Sequence, residues 1–199
     1  MDRKILIIAV AAIACVAVGA AAYVLMNNDD KQEYDGPVDP VDVSKSAVLY
    51  FSYTGHTDEV AKKLAEMTGS TLLRIEAAVP YTEQDTEWEE GNRAHIEQND
   101  PASRPEIVSI PDISSYDVIF LGYPIWDYIE PRIMDTLVES VDFTGKTVVP
   151  FCTSESSPVG DSDDNLKANA GTGEWKEGKR FPIGASTSSI RSWVVGLGL

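Results

Sequence analysis

The segment "LYFSYTGHTDEV", residues 49–60, places the hydroxyl residues Ser52, Thr54 and Thr57 around a single glycine, Gly55. Ala47 to Phe51 before it suits a strand covered on both faces, while Val60, Ala61, Leu64 and Ala65 after it recur at helical spacing. The loop between them therefore opens a helix. There the first backbone N–H groups have no partner within the helix and the dipole is positive. With hydroxyl donors and a glycine that lets the backbone come close, the segment suits an anion, phosphate foremost, without a lysine or arginine.

Two further segments carry chemistry of a different kind. "GYPIWDYIEP", residues 122–131, offers Tyr123, Trp126 and Tyr128, rings suited to stack on a planar heteroaromatic ligand. For each ring taken singly, a core position is the plain alternative. "FCTSESSPVG", residues 151–160, supplies Thr153, Ser154, Ser156 and Ser157, whose hydroxyls suit a ligand's polar edge, the plain alternative being a turn before a helix. Together the segments describe a nucleotide-like ligand with a phosphate end and a flat ring.

Positioning such loops is the task of the alternating elements around them. Strands are expected at Ala47 to Phe51, Thr71 to Glu76, Val118 to Gly122 and Thr147 to Cys152, with a more polar one around Trp175 to Phe181. Helices are expected at 56–68, within 82–98, and at about 131–140, 161–169 and 188–196. Alternation of this kind implies a parallel sheet covered on both faces. Ligands in such sheets bind outside the carboxyl ends of the strands, beside the point where strand order reverses.

The residues resemble a known family. "SYTGHT" at 52–57 is similar to the flavodoxin phosphate loop, T/S-x-T-G-x-T, and "LGYPIW" at 121–126 and "VPFCTS" at 149–154 resemble the flavin-ring loops of the flavodoxin 4 group. The resemblance spans residues 46–199. It implies an α/β, doubly wound, five-stranded parallel sheet of order 2-1-3-4-5 with helices on both faces, and non-covalent FMN. It further implies that Ser52, Thr54, Gly55, His56 and Thr57 hold the phosphate, His56 through its backbone N–H alone. Pro124, Ile125 and Trp126 would lie along the isoalloxazine, and Thr153 and Ser154 would face its pyrimidine end. The chain departs from the pattern at Trp126, Asp127, Tyr128, where relatives read W-W-G, and at Thr153 to Pro158, where they read T-S-G-G-S-G. Lost glycines restrict the backbone and Pro158 removes a donor, changes that bear on flavin affinity and redox tuning.

Composition bounds the rest. With 199 residues, 43% of them hydrophobic, one domain is expected. A formal net charge of −16 with scattered Lys and Arg excludes a nucleic-acid partner. Residues 1–26 open with Arg3 and Lys4 and run uncharged from Ile5 to Met26, long enough to span a bilayer. The basic start and the following Asp29 and Asp30 read as a signal-anchor with the domain on the extracytoplasmic side; a cleavable signal peptide, giving a secreted protein, is the rival. Residues 27–45 are acidic, contain Pro37 and Pro40, and read as a linker. The residues before Cys15 match a lipid-attachment signal poorly, and Cys152 reads as a buried strand residue, so no disulfide is expected.

No metal cluster, acid–base pair or nucleophile with a base partner is seen in the candidate site. The expectation is thus a membrane-tethered electron carrier on FMN, whose partners are redox proteins or a small-molecule acceptor. A pocket without cations and with Asp127 and Glu155 nearby would give a low potential. One alternative is an NAD(P)H-dependent flavin or quinone reductase, for which residues 80–105, with Tyr81, Trp88 and His95, would form a second concave site. The other is a non-redox binding module that has lost FMN.

Overall fold

A computed structural model describes residues 41–87 and 89–199. Four parallel strands, β1 (Ser46–Phe51), β2 (Thr71–Ile75), β3 (Val118–Pro124) and β4 (Thr147–Thr153), form its centre. The helices are α1 (His56–Thr68), α2 (Glu83–Thr86), α3 (Arg93–Asn99), α4 (Arg132–Ser140), α5 (Ser162–Ala170) and α6 (Thr187–Leu197). The expected helical stretch within 82–98 thus divides into the two short helices α2 and α3.

The fifth strand position is also divided. β5 (Glu174–Trp175) pairs with Thr147 and Val148, and β6 (Lys179–Phe181) pairs with Phe151 to Thr153, both parallel to β4. Between them the register slips by one residue, and the Gly178 N–H turns aside to donate to Asp163 Oδ2 at 2.9 Å. Sheet order is β2-β1-β3-β4-β5, the order the family resemblance implies.

Strand β1 shows why both sheet faces need cover. Its alternate residues Ala47, Leu49 and Phe51 join the core that includes Ile133, Leu137 and Leu166 of α4 and α5. Val48 and Tyr50 join the opposite core, with Val60 and Leu64 of α1 and Ile190 and Val194 of α6. The side-chain period of two therefore sends an all-apolar strand into two cores at once. Gly122 in β3 serves this packing, since a Cβ there would lie 2.3 Å from the tip of the Phe151 ring.

Val41 and Val43, at the end of the expected linker, belong to the folded part. Their N–H groups donate to the Met67 and Thr68 carbonyls at 2.9 and 3.4 Å, and Val43 is only 6% exposed. Among the described residues no helix is long and apolar enough to cross a membrane. The expected anchor, residues 1–26, lies outside them, as does Trp88.

Candidate functional site

The hydroxyl loop joins the carboxyl end of β1 to α1, as its sequence requires. Gly55 is the N-cap of α1, in a left-handed conformation with φ 95°, and no side chain caps the helix. A Cβ at Gly55 would touch nothing within 4 Å, so the backbone conformation, not space, demands glycine. The Gly55 N–H donates to Ser52 Oγ at 3.2 Å, which folds the loop back on the strand end. Ser52 and Thr57 are buried, His56 is partly buried and Thr54 is exposed. An uncapped helix start with adjoining hydroxyls is a donor set that fits a phosphate.

Asp58 in the first turn of α1 would oppose an anion were its charge not answered. It accepts from Tyr50 Oη at 2.6 Å, pairs with Lys62 at 2.7 Å and lies 3.8 Å from Arg74. Burial pulls its carboxyl up, but the hydrogen bonds from Lys62 and Tyr50 hold it below its usual range. Arg74, on β2, also donates to the Ser52 carbonyl at 3.2 Å. The loop expected to manage without a cation therefore has a guanidinium bracing it from the neighbouring strand.

After β3 the chain makes a tight hairpin. Trp126 and Ile129 exchange backbone hydrogen bonds of 2.8 and 3.2 Å across Asp127 and Tyr128, which take left-handed φ values of 44° and 70°. Two positive φ values in a two-residue turn are the geometry for which Asn-Gly is preferred, so this turn is held by its surroundings and not by its own residues. Gln98 of α3 does the holding. Its Nε2 donates to the Trp126 and Glu130 carbonyls, each at 3.0 Å, and its Oε1 accepts from the Arg132 N–H at 3.1 Å.

The aromatic residues of this loop divide sharply. Tyr123 is a core residue, fully buried, with its hydroxyl 3.0 Å from Ser162 Oγ. Tyr128 is 73% exposed. Trp126 stands between these extremes, partly buried beside Pro124 and Ile125. Edge-on contacts surround it: Tyr81 at 5.0 Å between centroids, Phe51 at 5.8 Å and Tyr53 at 6.5 Å.

The loop after β4 closes the site against the other two. Thr153 Oγ1 lies 2.8 Å from Thr57 Oγ1 in a buried pair, and the Thr153 carbonyl accepts from the Ile125 N–H at 3.0 Å. Phosphate loop, ring loop and third loop are thereby tied at one residue. Ser154 is committed within its own loop, its hydroxyl donating to the Ser157 carbonyl and accepting from Arg180 Nε at 2.9 Å. Arg180 of β6 also donates to the Ser154 carbonyl at 3.1 Å and to that of Glu155. Arg180 corrects the expectation of a cation-free pocket. No local motif marks it, because it arrives from a strand 26 residues away from Ser154.

Glu130, at the end of the ring loop, is fully buried with no hydrogen-bond partner at either carboxyl oxygen. Burial raises its pKa to about 8, the Asp135 charge adds to the rise, and the Arg132 charge opposes it in part. Asp135, also fully buried, is by contrast paired, with Arg132 at 3.3 Å and Asn169 at 2.9 Å. Cys152 is buried in β4, and loss of solvent pushes its thiol up to about 12.

An uncapped helix start, a partly buried indole and a third loop tying both, all on the carboxyl edge of a doubly wound parallel sheet, define an α/β protein of the nucleotide-binding class. Residues 45–197 match the family model described as Flavodoxin, and the chain belongs to that family. It is 42% identical to a candidate flavoprotein of Bacteroides eggerthii, covering 79% of this chain and 99% of that one, with a TM-score of 0.74. A candidate flavoprotein of Bacteroides uniformis is 38% identical over 76% of this chain and 97% of its own, with a TM-score of 0.72. A Lactobacillus acidophilus flavoprotein solved in complex with FMN shares the fold at 20% identity, covering 76% of this chain and 99% of that one, with a TM-score of 0.57. No curated protein matches the chain.

Proposed function

We propose that this chain is an FMN-binding flavodoxin that passes electrons between redox partners, tethered to a membrane through residues 1–26. The observation that carries the reading is the single junction at Thr153, which joins the uncapped start of α1 to the loop bearing Trp126. A ligand with a phosphate and a flat ring needs those two surfaces at a fixed separation. FMN has that shape, and when bound it supplies the redox chemistry. Ser52, Thr54 and the N–H groups of Gly55, His56 and Thr57 hold its phosphate; Pro124, Ile125 and Trp126 flank its ring; Arg180 places a positive charge behind Ser154. The membrane tether rests on the uncharged run from Ile5 to Met26 after Arg3 and Lys4.

The visible spectrum of the purified chain after incubation with excess FMN and gel filtration tests the reading. A bound flavin band that bleaches reversibly under dithionite is expected. Its absence would leave the fold as a binding module without flavin. Sustained oxidation of NADH or NADPH by the loaded protein would instead favour a reductase on the same fold.

A further inference from the structure

The geometry points to a second small-molecule site, a cleft at the carboxyl ends of β1 and β2 that takes a planar aromatic of one or two rings with a carbonyl on its edge. Ser52, assigned above to the FMN phosphate, also lines the cleft, so the two sites adjoin there, and the cleft's role as the place where electrons leave the protein rests on the FMN reading. The cleft has a volume of about 390 Å³, room for such a molecule and too little for a dinucleotide.

Its walls are built rather than incidental. Phe51, Tyr53 and Tyr81 line it, and these same rings surround Trp126 at 5.8, 6.5 and 5.0 Å. An occupant of the cleft would thus be one layer of aromatic side chains away from the indole on the ring loop. Tyr81 is fixed in place from outside, its hydroxyl donating to Glu97 Oε2 at 2.6 Å and its ring lying 4.0 Å from the Arg93 guanidinium carbon. Such positioning preserves a flat apolar wall whether or not a ligand is present.

The polar content selects among aromatics. Arg74 and Glu76, two residues apart on the same face at the end of β2, both line the cleft. The guanidinium gives one N–H to the Ser52 carbonyl and has others to offer a ligand carbonyl. A carboxylate such as Glu76 can accept from a ligand hydroxyl, so the two side chains suit an aromatic carbonyl and the hydroxyl that two electrons from the flavin and two protons from solvent would make of a quinone. Asp58, 3.8 Å from Arg74, adds to Glu76, so the cleft carries no excess positive charge, which favours a neutral ligand over an anion in a chain of net charge −16. Val108, 63% exposed at the rim, is anchored by its N–H to the Glu76 carbonyl at 2.9 Å.

The test uses the full chain and 2,3-dimethyl-1,4-naphthoquinone, whose blocked ring positions do not add to lysine or cysteine. Binding is read by equilibrium dialysis and by quenching of tryptophan fluorescence, with and without saturating FMN. One site is expected under both conditions, with 2,3-dimethylnaphthalene, which lacks the carbonyls, binding about tenfold more weakly. Val108→Trp should fill the cleft and weaken quinone binding by at least about tenfold at unchanged FMN affinity. One-for-one displacement by FMN, no binding up to the solubility limit, or binding indifferent to Val108→Trp would each overturn the proposal. Quinone binding by a chain that takes up no FMN would sustain the cleft while defeating the flavin reading.

Discussion

Thr57 and Thr153, 96 positions apart, meet hydroxyl to hydroxyl at 2.8 Å in the buried space between the start of α1 and the end of β4. Removing one hydroxyl leaves the other buried without its partner, whereas removing both leaves none. Thr57→Val and Thr153→Val should each cost about 1–3 kcal/mol in urea unfolding of the apo-protein, and the double variant less than their sum. Strict additivity would show that the pair does not hold the loops together.

Thr54 is exposed at the mouth of the uncapped helix, and its hydroxyl has no partner among the described residues. Thr54→Ala should weaken FMN binding by about 1–3 kcal/mol, the scale of a hydrogen bond to a charged group. Riboflavin, without the phosphate, should bind the variant and the native chain alike. Equal losses for both flavins in parallel titrations would remove Thr54 from the phosphate site.

Arg180 is a positive charge that the expectation of a low potential does not include. A positive charge beside the third loop favours the anionic reduced flavin. Arg180→Gln should therefore make the midpoint potential of the bound flavin more negative, by on the order of 1 kcal/mol or some tens of millivolts. Because the same side chain braces the Ser154 and Glu155 carbonyls, Arg180→Lys is the informative companion. If charge is what matters, lysine restores the potential even where it fails to restore stability.

Glu130 gives the fold a pH dependence of definite sign. Its pKa is about 8 in the folded chain against an ordinary value of 4.5, so between those limits the native state binds more protons than the unfolded one. The stability due to the neutral carboxyl is complete below about pH 4.5 and is lost as pH rises toward 8. The greatest slope for one group is about 1.4 kcal/mol per pH unit. Glu130→Gln should abolish this component, so that the difference between native and variant stability grows steadily from pH 5 to pH 8. A difference that stays constant over that interval would show that Glu130 is ionised when folded.

Val43 fixes where the domain begins. A fragment of residues 46–199 lacks its buried side chain and the strap of hydrogen bonds to the end of α1. Relative to a fragment of residues 41–199, it should be less stable by about 1.5–3 kcal/mol, the value of burying one such side chain. Identical denaturation midpoints for the two fragments would return Val41 and Val43 to the linker.

The parts legible in the sequence are those encoded by near neighbours. Five residues of β1 with no polar gap give a strand buried on both faces, and glycine among hydroxyls gives an uncapped helix start. Arg74, Gln98 and Arg180 were not legible as site residues, since each acts on a loop far from it in the chain. Nothing in local spacing records that Gln98 holds two carbonyls 28 and 32 positions away. The same limit explains Tyr123 and Trp126. Both lie in one aromatic loop, and only the packing of α5 and of the Tyr81 segment divides them into a core residue and a partly buried one. The division of the fifth strand is not legible because β5 and β6 together have the length and composition of a single polar strand.

That division bears on how copies of the protein behave toward one another. An outermost strand ordinarily presents a row of unpaired amide and carbonyl groups on which a strand from another molecule can build. Here the outer row is broken into pieces of two and three residues, out of step by one position, with the intervening Gly178 amide already spent on Asp163. An incoming strand in register with β5 would be out of register with β6. The flank of the sheet beyond β4 is thus a poor template for intermolecular extension, a safeguard against aggregation to which Glu174, Lys179 and Arg180 in the two pieces add charge.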